Sequence, residues 1–147
     1  MNNSDPDKSM RRPPFHLAFP VNDLEAAEAF YCGVLGCKTG RRDKDWIDFD
    51  FYGHQIVAHL TKLSDQYAAN LVDNKKVPVP HFGIILEMPE WEVVAQKLRE
   101  INVQFEIEPY IRFKGQKGEQ ATMFFRDPSG NAIEIKAFRD ESQIFEK

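Results

Sequence analysis

The sequence predicts an α+β fold in which two tandem strand–helix–strand–strand–strand modules form a curved mixed sheet. Three observations predict it. Short segments alternate apolar and polar residues with a period of two, two longer stretches carry apolar residues at helical spacing, and the same element order recurs after a polar connection. At about 50–60 residues, neither module buries its sheet face well alone, so the two are expected to pack as one domain over residues 14–138.

Residues 1–13 are rich in Asn, Ser, Asp, Lys, Arg and Pro and are expected to be a flexible tail. Module 1 spans about 14–61. Phe15, Leu17 and Phe19 alternate with His16 and Ala18, the signature of a first strand. Asn22 is placed to cap the following helix, with Glu25 in capping-box position and Leu24, Ala27, Phe30, Tyr31 and Val34 as its apolar stripe. Gly33 and Gly36 end it. A short charged strand around Cys37–Arg42 precedes two clear ones. Residues 46–52 put Ile47, Phe49 and Phe51 on one face, and after a turn at Gly53, Ile56, Ala58 and Leu60 do the same.

Residues 62–80, with Pro78 and Pro80, read as a linker. Module 2 then spans about 81–138. His81–Leu86 is a strand, and Pro89 opens a helix whose Trp91, Val94, Ala95, Leu98 and Ile101 share a face. Strands are expected at about Phe105–Phe113, Ala121–Arg126 and Ala132–Phe138, the last two joined by Asp127-Pro128-Ser129-Gly130-Asn131. Residues 139–147 form a C-terminal tail.

The 147 residues carry 19 Lys and Arg against 23 Asp and Glu, a net charge of −4, so no nucleic-acid or anionic-membrane partner is expected. No apolar run approaches the roughly 18 residues of a membrane span, and the N-terminal residues contain no apolar signal core; a cytoplasmic location is expected. Cys32 and Cys37 are read as reduced thiols, since their spacing fits neither a redox CxxC nor a zinc half-site.

If the helices cover the more apolar parity of each strand, the opposite parity collects His16, Asp48, Asp50, Gln55, His59, His81 and Glu134 on one sheet surface. His16 and His81 open their strands at matching places in the two modules. Two imidazoles joined by a carboxylate on the last strand form a facial arrangement around a divalent ion that leaves positions open. Lys136, on the same face as Glu134, is positioned to neutralise it instead. His54 has the opposite parity and is read as structural.

The opening Phe15-His16-Leu17-Ala18-Phe19-Pro20-Val21-Asn22-Asp23-Leu24, the helix end Ala29-Phe30-Tyr31 with Leu35-Gly36, and the closing Asp127-Pro128-Ser129-Gly130-Asn131-Ala132-Ile133-Glu134-Ile135 resemble the vicinal oxygen chelate superfamily. It includes glyoxalase I, extradiol dioxygenases and the fosfomycin and bleomycin resistance proteins. Among its members the chain looks most similar to the small single-domain proteins described as predicted extradiol-type dioxygenases. The resemblance implies a metal-binding cleft with His16, His81 and Glu134 as ligands. It also implies a divalent metal, with Fe(II) favoured and Zn, Ni or Mn as alternatives, a small-molecule substrate held through adjacent oxygens, and a homodimer. Members with a fourth ligand place it on the fourth strand, where this chain has Val57 or His59 depending on the alignment. Three ligands imply an oxidoreductase of the dioxygenase type; four imply a glyoxalase-like isomerase or lyase. His59, Tyr110, Arg112 and Gln120 are the further candidates for catalytic or substrate contacts. A non-catalytic binding protein using Trp46, Tyr52, Phe124 and Phe138 is the reading of another class.

Overall fold

The computed structural model describes residues 12–62 and 68–147. Residues 1–11 of the expected N-terminal tail and 63–67 of the expected linker lie outside that range. In chain order the elements are β1 (His16–Val21), α1 (Leu24–Glu28) continuing into a π-helical segment (Ala29–Val34), β2 (Lys38–Asp43), β3 (Trp46–Phe51), β4 (His54–Leu60), β5 (Ala68–Val72), β6 (Lys75–Val79), β7 (His81–Leu86), α2 (Met88–Glu100), β8 (Phe105–Arg112), β9 (Gln120–Arg126) and β10 (Ala132–Phe138). A 3-10 turn, Glu141–Gln143, follows.

The modules keep separate sheets, ordered β1-β4-β3-β2 and β7-β10-β9-β8. Each is mixed, because its first strand pairs parallel to its last while the other pairs are antiparallel. The edge strands β1 and β7 meet through side chains, with the Phe19 and Phe82 rings 5.4 Å apart.

The apolar parities of both sheets share one core with both helices. Phe19, Phe49 and Ile56 from the first sheet join Met123, Phe125 and Ile133 from the second, and Phe30 of the first helix lies 6.1 Å from Phe125 across the module boundary. The opposite parity of each sheet is therefore turned away from the core, which leaves the polar set on two outer faces.

Two local features differ from expectation. The helix cap is Asp23, whose Oδ1 accepts from Ala26 N at 3.0 Å, because Asn22 is already engaged by Ser129: its N–H donates to the Ser129 oxygen and its Oδ1 accepts from the same hydroxyl. The helix also widens to a π-turn, with Leu35 N bonded to Phe30 O at 3.2 Å. The extra residue per turn lets two consecutive aromatic residues, Phe30 and Tyr31, both enter the core.

The connection between modules carries the β5–β6 hairpin, closed by Asp73 and Asn74 at φ 51° and 60°. Two successive left-handed residues match the twist of a tight hairpin, and Asp and Asn tolerate them best. In the C-terminal segment, Arg139 N donates to Glu119 O and Gln143 Oε1 accepts from Gly118 N, tying the 3-10 turn to the β8–β9 loop.

On α2, Pro89 fits the first turn and Trp91 is buried, its Nε1–H donating to Ile135 O at 2.9 Å. Trp91→Phe is expected to cost about 1–3 kcal/mol by orphaning this acceptor and shrinking a core ring. Denaturant unfolding checks it.

Candidate functional site

Parallel pairing of β7 with β10 puts His81 beside Ala132 and Gly83 beside Glu134, so the His81 ring can reach over the position that lacks a side chain toward Glu134. His81 Nε2 lies 3.1 Å from Glu134 Oε2. Its Nδ1 lies 2.7 Å from Pro78 O, and since a carbonyl only accepts, Nδ1 carries the proton there. The lone-pair nitrogen of a neutral His81 therefore faces the carboxylate, an arrangement satisfied by a second proton or by a cation between the two. The Phe124 ring meets the imidazole edge-on at 5.0 Å and limits its rotation.

Glu134 is held at its other oxygen as well. Thr122 Oγ1 donates to Oε1 at 2.7 Å, and Lys136 Nζ stands 3.6 Å from the same oxygen. Burial pushes the Glu134 carboxyl up, but the His81 and Thr122 hydrogen bonds and the Lys136 charge together hold it below the usual range. The hydrogen bond to Glu134 raises the His81 imidazole against the opposing effect of burial. Sequence reasoning missed Thr122, although it shares the outer parity with Gln120 and Phe124.

On the first sheet, His16 Nδ1 lies 2.8 Å from Gln55 Oε1, and Gln55 Nε2 donates to Asp48 Oδ2 at 3.2 Å. Asp48 thus orients the amide, the amide oxygen takes the Nδ1 proton, and a neutral His16 keeps its lone pair on Nε2, as a neutral His81 does. The two histidines stay apart within one chain. Asn131 Nδ2 donates to Pro20 O, so the His81–Ala132 pair lies near the Pro20 end of β1. His16 is four residues away, roughly 13 Å along an extended strand. Among the described residues, no three His, Cys, Asp or Glu side chains gather in metal-binding geometry.

The ladder registers resolve the alignment left open above. His16 pairs with Gln55 as His81 pairs with Ala132, so two residues further on Val57 corresponds to Glu134, and His59 to Lys136. Val57 is a buried apolar residue, and His59 is exposed on the outer face of the first sheet, beside Trp46.

Tyr110 and Arg112 converge on the hairpin tip: Tyr110 OH donates to Asp73 Oδ2 at 3.1 Å and Arg112 Nε at 2.6 Å. Gln120 is cross-strand neighbour to both Arg112 and Phe138; it is buried, and its Oε1 has no hydrogen-bond partner among the described residues. His54 has a structural role, its Nδ1 accepting from Phe15 N at 2.8 Å. Of the aromatic set, Phe124 and Phe138 sit on the second sheet, whereas Trp46 and Tyr52 belong to the first sheet and its turn.

The family model for the Glyoxalase/Bleomycin resistance protein/Dioxygenase superfamily matches residues 14–135. Among solved structures, a glyoxalase/bleomycin resistance protein/dioxygenase from Alicyclobacillus acidocaldarius is 34% identical, with 92% of this chain and 99% of that chain covered and a TM-score of 0.74. The fosfomycin resistance protein of Listeria monocytogenes (16% identity, 92% and 100% covered, TM-score 0.67) and a lactoylglutathione lyase from Agrobacterium tumefaciens (19%, 87% and 95%, 0.61) share the fold.

Proposed function

Because the chain belongs to the glyoxalase/bleomycin resistance protein/dioxygenase superfamily, we propose that it is a metal-dependent enzyme of the dioxygenase type acting on a small molecule, with His16, His81 and Glu134 as the metal ligands. The observation that carries this reading is the convergence of His81 Nε2 and Glu134 Oε2 at 3.1 Å with the opposite His81 nitrogen already committed to Pro78 O. Val57 at the position matching Glu134 favours three protein ligands over four, and hence Fe(II) over the Zn or Ni of a four-ligand isomerase, with Mn also compatible.

The third ligand is assigned to His16 of a second copy. Both outer faces are turned away from the shared core, and His16 is held ligand-ready on a face where, among the described residues, no carboxylate partners Nε2. In the resulting homodimer, the first sheet of one copy would face the second sheet of the other. A bound divalent metal would supply a Lewis acid and a template for two adjacent substrate oxygens. The chain's own residues prepare that place: Pro78 O fixes the His81 tautomer, Phe124 limits its ring, Thr122 and Lys136 hold Glu134 ionised, and Gln55 with Asp48 sets His16.

Metal titration of chelator-treated protein tests this. About one equivalent of a divalent metal is expected per chain, His81→Ala is expected to lose at least 100-fold in affinity, and His54→Ala is expected to bind as the wild type does. Less than about 0.1 equivalent, with stability unaffected by chelator, would overturn the reading and leave a binding protein in which Glu134 stays paired with His81 and Lys136. Mixed dimers of His16→Ala and His81→Ala chains are expected to recover one metal site per dimer; no recovery would remove the second-copy assignment. Oxygen uptake after anaerobic Fe(II) loading, with a panel of catechols, separates the dioxygenase from an isomerase or lyase.

A further inference from the structure

We propose that the Tyr110–Arg112–Gln120 corner of the second sheet is a subsite for the carboxylate of a small hydroxy acid, and that Asp73 fills it in the free protein as an internal stand-in. This deepens the enzyme reading above, since it takes the outer face of the second sheet as the substrate face.

The cross-strand rows Arg112–Gln120–Phe138 and Tyr110–Thr122–Lys136 lie side by side on that face, and the second row shares its strands with Glu134 and its partners. A single carboxylate oxygen, Oδ2 of Asp73, takes both the Arg112 Nε–H (2.6 Å) and the Tyr110 hydroxyl (3.1 Å). An arginine fork beside a phenol is chemistry for a planar carboxylate, and here a carboxylate occupies it. Arg112 is further fixed by stacking 4.9 Å from the Phe113 ring centroid, and Lys75 Nζ stands 4.6 Å from the Tyr110 ring centroid. The anion is thus met by a guanidinium and a hydroxyl, with the Lys75 charge close by on the Tyr110 ring.

Asp73 itself is suited to leave. It sits at the tip of a two-stranded hairpin, and its side chain is 38% exposed, whereas Arg112 is 20% exposed. An exposed carboxylate at a hairpin tip is a tether that a competing anion can replace. Gln120 adds a second recognition element. Only 8% exposed and directly across from Arg112, it presents a carbonyl oxygen that has no donor among the described residues. A ligand bearing an O–H next to its carboxylate would supply that donor, and this selects hydroxy acids over simple ones.

The test is an NMR titration of metal-free protein with malate and, separately, succinate, which has the same two carboxylates without the hydroxyl, at constant ionic strength set with chloride. Asp73→Asn is expected to bind malate at least about fivefold tighter than the wild type, because an intramolecular competitor is removed. The turn survives the change, since Asn accepts the left-handed conformation at least as well as Asp. Arg112→Gln is expected to abolish saturable binding, and malate is expected to bind tighter than succinate in Asp73→Asn but not in Asp73→Asn/Gln120→Leu. Equal or weaker malate binding by Asp73→Asn, no saturation in that variant at tens of millimolar, or shifts that persist in Arg112→Gln would each overturn the proposal. The same samples are then titrated with metal: intact metal binding with a failed malate arm removes the carboxylate subsite alone, and the reverse removes the metal assignment alone.

Discussion

Gly83→Ala is expected to lower stability by at least about 3 kcal/mol, or roughly 10 °C in melting temperature for a domain of this size. A Cβ at Gly83 would stand 1.5 Å from the Glu134 carbonyl oxygen, 2.6 Å from its carbon and 3.1 Å from its nitrogen. The obstacle is backbone, so no rotamer change relieves it, and β7 and β10 must separate in the middle of their parallel pairing. The damage therefore reaches the site as well as the fold, since the strand that moves carries Glu134 and the strand it leaves carries His81. Metal affinity is expected to fall with stability. Gly33→Ala is the control: an added Cβ there meets nothing within 4 Å, and its backbone φ is outside the left-handed range. Calorimetry of the two variants decides the matter; a Gly83→Ala protein within about 1 kcal/mol of wild type would contradict this reading of the β7–β10 contact.

Asp127→Ala is expected to be similarly damaging, at about 3–5 kcal/mol, for an electrostatic reason. The carboxylate is 5% exposed and accepts four hydrogen bonds: from Ser129 N (2.9 Å) and Asn131 N (2.8 Å) at one oxygen, and from the Tyr31 hydroxyl (2.8 Å) and Asn131 Nδ2 (2.8 Å) at the other. Removing it orphans the Tyr31 hydroxyl in the core and unpairs two backbone N–H groups in the β9–β10 turn. Burial, and after it the negative Asp127, push the Tyr31 phenol far above its ordinary value, so it stays a donor. The same turn clamps the modules together, Ser129 on Asn22 and Asn131 on Pro20 O. Loss of Asp127 is accordingly expected to speed amide exchange around β1 and the β9–β10 turn more than in α2. Denaturant unfolding and hydrogen exchange read the two effects, and a loss below about 1 kcal/mol would show that other acceptors replace the carboxylate.

Much of the site was legible because it lies on strands. Alternation alone assigns His16, Gln55, His59 and Glu134 to the parity opposite the core, and the two-module order equates His16 with His81. What alternation could not supply was register. Whether Val57 or His59 matches Glu134 differs by two residues on the same face, and only the ladder partners of β1 with β4 and β7 with β10 distinguish them. The β5–β6 hairpin was hidden in a charged, proline-containing stretch; the Asp73-Asn74 pair between Val72 and Lys75 was the available signal, a dipeptide suited to two left-handed residues. The helix cap was assigned one residue early because nothing local reveals that Ser129, 107 positions away, takes Asn22.

The sequence by itself determined the module order, the face each strand residue adopts and the histidine and carboxylate types available, because strand and helix periodicities are local consequences of backbone geometry. The tertiary structure decided which of them meet. It joined His81 to Glu134 across a glycine, left His16 to Gln55 near the far end of β1, and brought Asp73 onto Arg112 and Tyr110. These outcomes depend on register and on how two sheets share one core, and both are set by long-range packing.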